Sequence, residues 1–200
     1  MALRVGTRVL AALLATLASA CADAQVPMPK PGPVKIAIVN GDFESEKPGL
    51  FGNPEGWISV QHAGAVSYSF KLDTAEKHGG ERSVRIDNVG PEPYGSIYQK
   101  IAALPFQRKT VRMSAWLRTR GVTGNALAPG AVLTLQALRS GALVAFNHSP
   151  DQAQTGDTEW TRHVIELSIP AEADGLELGA MLPGPGQVWL DDVELFVLPK

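Results

Sequence analysis

The chain has 200 residues, 44% of them hydrophobic and 19% charged, with a formal net charge of −2 at pH 7. That length makes one domain, or at most two, around a sizeable core, and the weakly acidic balance argues against nucleic acid as a partner. The single cysteine, Cys21, excludes an internal disulfide and any thiolate metal cluster, so the fold must hold by packing alone.

In chain order, Arg4 and Arg8 precede an apolar run from Val9 to Ala18. The run is too short to span a bilayer as a stable helix and reads as the core of a secretion signal over residues 1–24. Ala22-Asp23-Ala24 satisfies the small-x-small rule for cleavage after Ala24. A second reading stays open, because Ala18-Ser19-Ala20-Cys21 resembles the lipobox of bacterial lipoproteins, with its leucine one position early at Leu17. Lipidation of Cys21 would tether the chain to a membrane; cleavage after Ala24 would release it to the periplasm or the medium. Residues 25–33 are Pro-rich, cannot pair as strand or continue as helix, and read as a spacer before a domain at 34–198.

From there the periodicity is two, not 3.6. Val34–Val39 alternates β-branched residues; Gly49–Gly56 is turn material; Trp57 opens a short strand; Ala65–Leu72 places Val66, Tyr68, Phe70 and Leu72 on one face. Arg82–Asp87 and Tyr94–Ile101 follow. Lys109–Arg120 is the clearest case, with Val111, Met113, Ala115 and Leu117 on the core face and Arg112, Ser114, Trp116 and Arg118 on the other. Val132–Leu138 and Ala142–Phe146 form a hairpin through Arg139-Ser140-Gly141, and Asn147–Asp157 is a polar loop of the kind that carries function. Trp160–Ile169, Leu176–Leu182 and Gly186–Val197 complete the set. The last is apolar on both faces except at Asp191-Asp192, so it reads as a central strand whose acids must meet solvent, a basic side chain or a metal. Ten or eleven short strands with no helical period predict an all-β, antiparallel two-sheet jelly-roll sandwich.

Asn40-Gly41-Asp42-Phe43-Glu44, Gly56-Trp57, His78-Gly79-Gly80-Glu81-Arg82-Ser83, Tyr98-Gln99-Lys100-Ile101, Ser114-Ala115-Trp116-Leu117-Arg118 and Trp189-Leu190-Asp191-Asp192-Val193 occur in that order. Together they resemble the galactose-binding-like jelly rolls, and among these the carbohydrate-binding modules of bacterial xylanases and cellulases, over residues 36–197. A closer likeness is to bacterial modules of this fold with unassigned ligand, through Thr155–Thr161 and Gly184–Trp189. The resemblance implies a structural Ca2+ site. In it Glu44 and one of Asp191 or Asp192 supply carboxylates, while Asp42 and the Gly80-Glu81 turn supply side-chain or backbone oxygens. The alternative is that Arg82 or Lys47 neutralises these acids without metal.

A sugar-binding face needs flat rings and polar edges. Tyr98 and Trp116 fall on non-core sides of their strands, with Lys100, Arg112 and Arg118 beside them; Gln136 and Thr134 extend the surface, and Asn147 and His148 edge it. Were those strands neighbours, they would make an aromatic floor with basic flanks, suited to an acidic or heavily hydroxylated glycan. The alternative is that the basic side chains cover the rings with no ligand, a cation-π contact of about 0.5–1 kcal/mol. Trp57, Trp160 and Trp189 read as core.

No Gly-x-Ser-x-Gly elbow is present, His62, His78, His148 and His163 lack ligand spacing, and no carboxylate pair stands out. The expectation is a noncatalytic exported bacterial module for carbohydrate or envelope glycan. Its rivals are a structural or protein-interaction domain of the cell envelope and, more remotely, a hydrolase built on the Asn147–Asp157 loop.

Overall fold

The stretches of period two become strands because only alternation buries one face of each against a second sheet. In the computed structural model, which describes residues 31–199, they are β1 (Val34–Ile36), β2 (Ile58–Gln61), β3 (Tyr68–Asp73), β4 (Ser83–Asn88), β5 (Tyr94–Ala102), β6 (Thr110–Val122), β7 (Val132–Arg139), β8 (Ala142–Asn147), β9 (Gly156–Ser168), β10 (Gly175–Pro183) and β11 (Gln187–Val197). The expected secretion signal, Cys21 and the expected spacer as far as Lys30 lie outside the described residues.

One sheet, here the β11 sheet, runs β3-β4-β11-β6-β9, with β1 also on β11; the other, the β10 sheet, runs β2-β5-β10-β7-β8. All pairings are antiparallel, as the jelly-roll reading requires. The final strand is central, as its two-faced apolar character predicts. Its first half pairs β4 (Val188↔Ile86) and its last residues pair β1 (Leu195↔Ile36), with a bulge between Asp191 and Glu194.

The inner faces meet in one core. The β11 sheet contributes Val84, Ile86, Val111, Met113, Ala115, Leu117, Val188, Leu190 and Leu195, and the β10 sheet contributes Ile97, Leu133, Leu135, Leu176, Leu178 and Leu182. Each fully buried aliphatic side chain contributes about 1.5–3 kcal/mol of transfer free energy, which lets the domain stand without disulfides. Trp57 and Phe43 plug one end with ring centroids 4.9 Å apart, and the Trp57 indole N–H donates to the Asn40 carbonyl at 2.9 Å. The β7–β8 hairpin turns on Ser140 and Gly141, at φ 50° and 84°, the two left-handed residues that a tight hairpin turn demands.

Three local expectations are corrected. Val66 is 80% exposed, because β3 begins only at Tyr68 and the preceding residues turn away. The first strand stops at Ile36; Val39 is held instead by the Gln99 side chain, which accepts from its N–H at 2.8 Å and donates to its carbonyl at 2.7 Å. Of the three tryptophans assigned to the core, Trp57 is there. Trp160 is half-buried on an outer face, and Trp189 is buried on the outer face of β11, beneath Arg85 and Arg120 with guanidinium carbons 5.8 and 5.6 Å from its ring.

Candidate functional site

Tyr98 and Trp116 do not share a face. Tyr98 is on β5 in the β10 sheet and Trp116 on β6 in the β11 sheet, so two side chains that both turn away from the core lie on opposite sides of the sandwich. Tyr98, Gln136, Asn147 and His148 are brought together; Trp116 and Arg118 are not with them.

The outer face of the β10 sheet carries a trough. Glu177 of β10 lies in register between Lys100 of β5 and Gln136 of β7, and two residues on Gly179 lies between Tyr98 and Thr134. Gly179 has no side chain, so the sheet is low there, walled by Tyr98 and Thr134 and bounded along the strand by Glu177 and Met181. The hollow holds about 280 Å³, closed at its sides by Val60, Tyr94 and Ser96. It continues into a second hollow of about 190 Å³, which Leu127, Phe146, Asn147 and His148 edge. The His148 ring stacks on Phe146 with centroids 5.5 Å apart. Asn147 is already engaged, donating to the Glu166 carbonyl at 2.8 Å and accepting from the Ser149 N–H at 2.8 Å, so it shapes the rim. The Glu177 carboxylate faces the Lys100 ammonium at 3.6 Å. Burial, reinforced by that carboxylate, raises the Tyr98 hydroxyl above its ordinary pKa of 10.0 and keeps it a neutral hydrogen-bonding group.

On the opposite side, the β3–β4 loop folds over the β11 sheet. His78 stacks on Trp116 with centroids 3.8 Å apart and 16° between planes, and Trp160 meets the His78 ring edge-on at 5.9 Å. Arg118 is paired with Glu76 at 2.9 Å and with Glu159 at 3.5 Å, and Arg112 with Glu166 at 2.7 Å. Arg118 is thus paired within the chain, and one face of the Trp116 ring is covered by His78.

Of the five acids anticipated as metal ligands, Glu81 lies on this loop and Glu44, Asp191 and Asp192 contact it. Asp191 is completely buried; its Oδ2 accepts from the His78 and Gly79 N–H groups at 2.9 and 3.1 Å, and its Oδ1 from the Asp192 N–H at 2.8 Å. Burial pushes its pKa up to about 6; the amide donors oppose the rise and the neighbouring Asp192 adds to it. Glu44 Oε1 accepts from the Glu81 and Arg82 N–H groups at 2.9 and 3.0 Å. Asp192 contacts His78 Nδ1 at 2.6 Å, Asp42 accepts from the Glu44 N–H at 3.5 Å, and Glu81 is exposed. Arg82 donates to the Glu44 carbonyl and pairs with Glu46, while Lys47 reaches Glu55 at 3.9 Å. Among the described residues no three His, Cys, Asp or Glu side chains gather around one point. The Asp191 and Glu44 carboxylates accept backbone N–H bonds here, and the six to eight oxygens that calcium takes would have to include backbone carbonyls as well as these side chains. Beside them, a shallow cleft of about 660 Å³ runs between β1 and the β11 bulge, lined by Lys35, Asp42, Asp192 and Glu194 but by no aromatic ring.

Tyr94, Glu177, Gly179, Met181 and Phe146 were not singled out from sequence. Glu177 had a visible signal, a lone carboxylate inside the apolar run Leu176–Leu182.

No family model matches the chain. It is 24% identical over 144 residues to the uncharacterized HTH-type transcriptional regulator YbfP of Bacillus subtilis; the match takes 70% of this chain and spans 46% of the regulator's length. The CBM22-1 xylan-binding domain of Paenibacillus barcinonensis Xyn10C superposes with a TM-score of 0.53 at 13% identity, covering 80% of this chain and 93% of that one. A cyclase from Fischerella sp. TAU superposes with a TM-score of 0.53 at 14% identity, covering 84% and 98%. The fold is therefore the jelly roll of the carbohydrate-binding modules. A domain named for xylan binding and one named as an enzyme both use this fold, so the trough has to carry the functional argument.

Proposed function

We propose that the chain is a noncatalytic carbohydrate-binding module of an exported bacterial protein, which lays a glycan along the trough of the β10 sheet. The observation that carries this reading is the trough itself. It combines two tyrosines, Tyr94 and Tyr98, with Ser96, Thr134, Gln136 and Glu177 on a concave surface of rigid strands, supplying ring faces for sugar C–H surfaces and polar edges for hydroxyls. Glu177 is the single carboxylate of the lining, whereas glycoside hydrolysis by the usual route uses a pair, which supports binding without catalysis. Export rests on Arg4, Arg8 and the apolar run from Val9 to Ala18.

The test is affinity electrophoresis of residues 25–200 in gels containing soluble neutral polysaccharides. Retardation by at least one, lost in Tyr98→Ala at unchanged thermal midpoint, is the expected result; free migration against the whole panel refutes the reading. A second reading, a protein-interaction domain, draws on edge strand β8, which exposes Leu143, Val144 and Phe146 at 52%, 36% and 57%. It becomes the better account if no glycan retards the protein while concentration-dependent association disappears in Val144→Lys.

A further inference from the structure

The charge of the trough is opposite to what the sequence suggests. Of the cations that were to flank an aromatic floor, Arg112 and Arg118 lie on the other sheet and are paired there. Lys100 alone shares the face of Tyr98, and its ammonium is committed to Glu177 at 3.6 Å. The two partners sit at different depths, the Glu177 side chain being 17% exposed and that of Lys100 48%. The carboxylate is therefore low in the hollow, in register with Gln136 and beside Tyr98, while the ammonium stands nearer the solvent.

An ionised carboxylate has no proton to donate and about four lone-pair sites, so it accepts from sugar hydroxyls, strongly when two adjacent hydroxyls reach both oxygens. A ligand carboxylate or sulfate in the same place would have no donor to offer and would meet like charge in a partly desolvated site. We propose that Glu177 is the specificity-determining residue of the trough, accepting hydroxyl hydrogen bonds from an uncharged glycan and rejecting chains that carry acidic groups. This rests on the carbohydrate-binding reading above. Lys100 holds the carboxylate in place and tempers its charge, and Gln136, able both to donate and to accept, completes a hydroxyl-binding row across β5, β10 and β7.

The test uses a matched pair of ligands: the neutral polysaccharide that retards the wild type most, and its carboxymethylated derivative. A hydroxyethylated derivative of equal substitution controls for bulk. Wild type should bind the carboxymethylated chain at least about tenfold more weakly than the hydroxyethylated one, since like-charge juxtaposition is strongly penalised. In Glu177→Gln, which keeps the side-chain shape and frees Lys100, that ratio should fall to within about twofold or invert. Lys100→Met, at a well-exposed position, should widen it, and serves should Glu177→Gln lower the thermal midpoint. A merely structural role for Glu177 would weaken all three ligands together. Equal binding of both derivatives by wild type, or an unchanged ratio in both variants, overturns the proposal and leaves the binding module standing. Failure of the neutral chain to bind wild type overturns both.

Discussion

Gly179→Ala tests the geometry of the trough at its lowest point. A Cβ there would lie 1.9 Å from the Ile97 carbonyl oxygen, 2.7 Å from the Tyr98 Cα and 2.9 Å from the Ile97 carbonyl carbon. All three are backbone atoms of the neighbouring strand, so no rotamer change can relieve the overlap; β5 and β10 must move apart by about an ångström in the middle of a sheet, where close packing resists it. Overpacking costs about 1–3 kcal/mol where side chains can give, so about 3 kcal/mol is expected here, a fall in thermal midpoint of roughly 6–12 °C for a domain of this size. The comparison is Gly121→Ala, where φ is 62° but no atom lies within 4 Å. That variant should lose only the left-handed penalty of about 1–2 kcal/mol. The measurement is thermal unfolding followed by circular dichroism at pH 7 for both variants beside wild type. A Gly179→Ala midpoint within 2 °C of wild type, or a smaller loss than in Gly121→Ala, would refute the claim that this glycine sets the spacing of β5 and β10, since about 1 kcal/mol is the most that such a shift allows.

Two further predictions concern the opposite face. Trp116→Ala removes the ring on which His78 stacks and should lower the thermal midpoint, yet leave polysaccharide retardation within about twofold of wild type, because Trp116 lies across the sandwich from the trough; loss of binding at unchanged stability would put the ligand on the wrong sheet. At Asp191 the folded pKa of about 6 stands above the ordinary 3.8, so the folded state takes up the proton first and stability gains as pH falls through 6. In EDTA, wild type measured against Asp191→Asn should gain about 1.4 kcal/mol between pH 8 and pH 5. A slope of opposite sign would mean that the carboxylate is held ionised, and its appearance only on adding calcium would place a cation at Asp191.

The strands were legible because their signal is local. Val111, Met113, Ala115 and Leu117 alternate with Arg112, Ser114, Trp116 and Arg118, and that alone fixes which side of β6 enters the core. Alternation distinguishes inward from outward, but a sandwich has two outward faces. Which of them Trp116 and Tyr98 occupy depends on β10 lying between β5 and β7 and on β11 lying between β4 and β6. Those are long-range pairings that no window of sequence contains. A second blind spot has the same origin. Trp189 and Asp191 are outward residues of a central strand and read as exposed or core, yet both are buried from outside, the first under Arg85 and Arg120, the second under the His78-Gly79 turn.

That covering loop also shows what counting charges leaves out. Arg118 is paired with Glu76 and Glu159, Arg85 with Asp73 at 2.9 Å and Asp87 at 3.0 Å, and Arg120 with Glu76 at 3.6 Å, all on the side away from the trough. Of the basic residues that made the chain look suited to an acidic glycan, Arg118 pairs with the covering loop and Arg112 with Glu166 of β9, both on the β11 sheet, where partly exposed ion pairs contribute little stability but fix orientation. What remains at the trough is one carboxylate set low and one ammonium set high. A site of that polarity selects for hydroxyl donors, so the residue that decides ligand class is Glu177, a side chain whose importance comes from where the arginines are not.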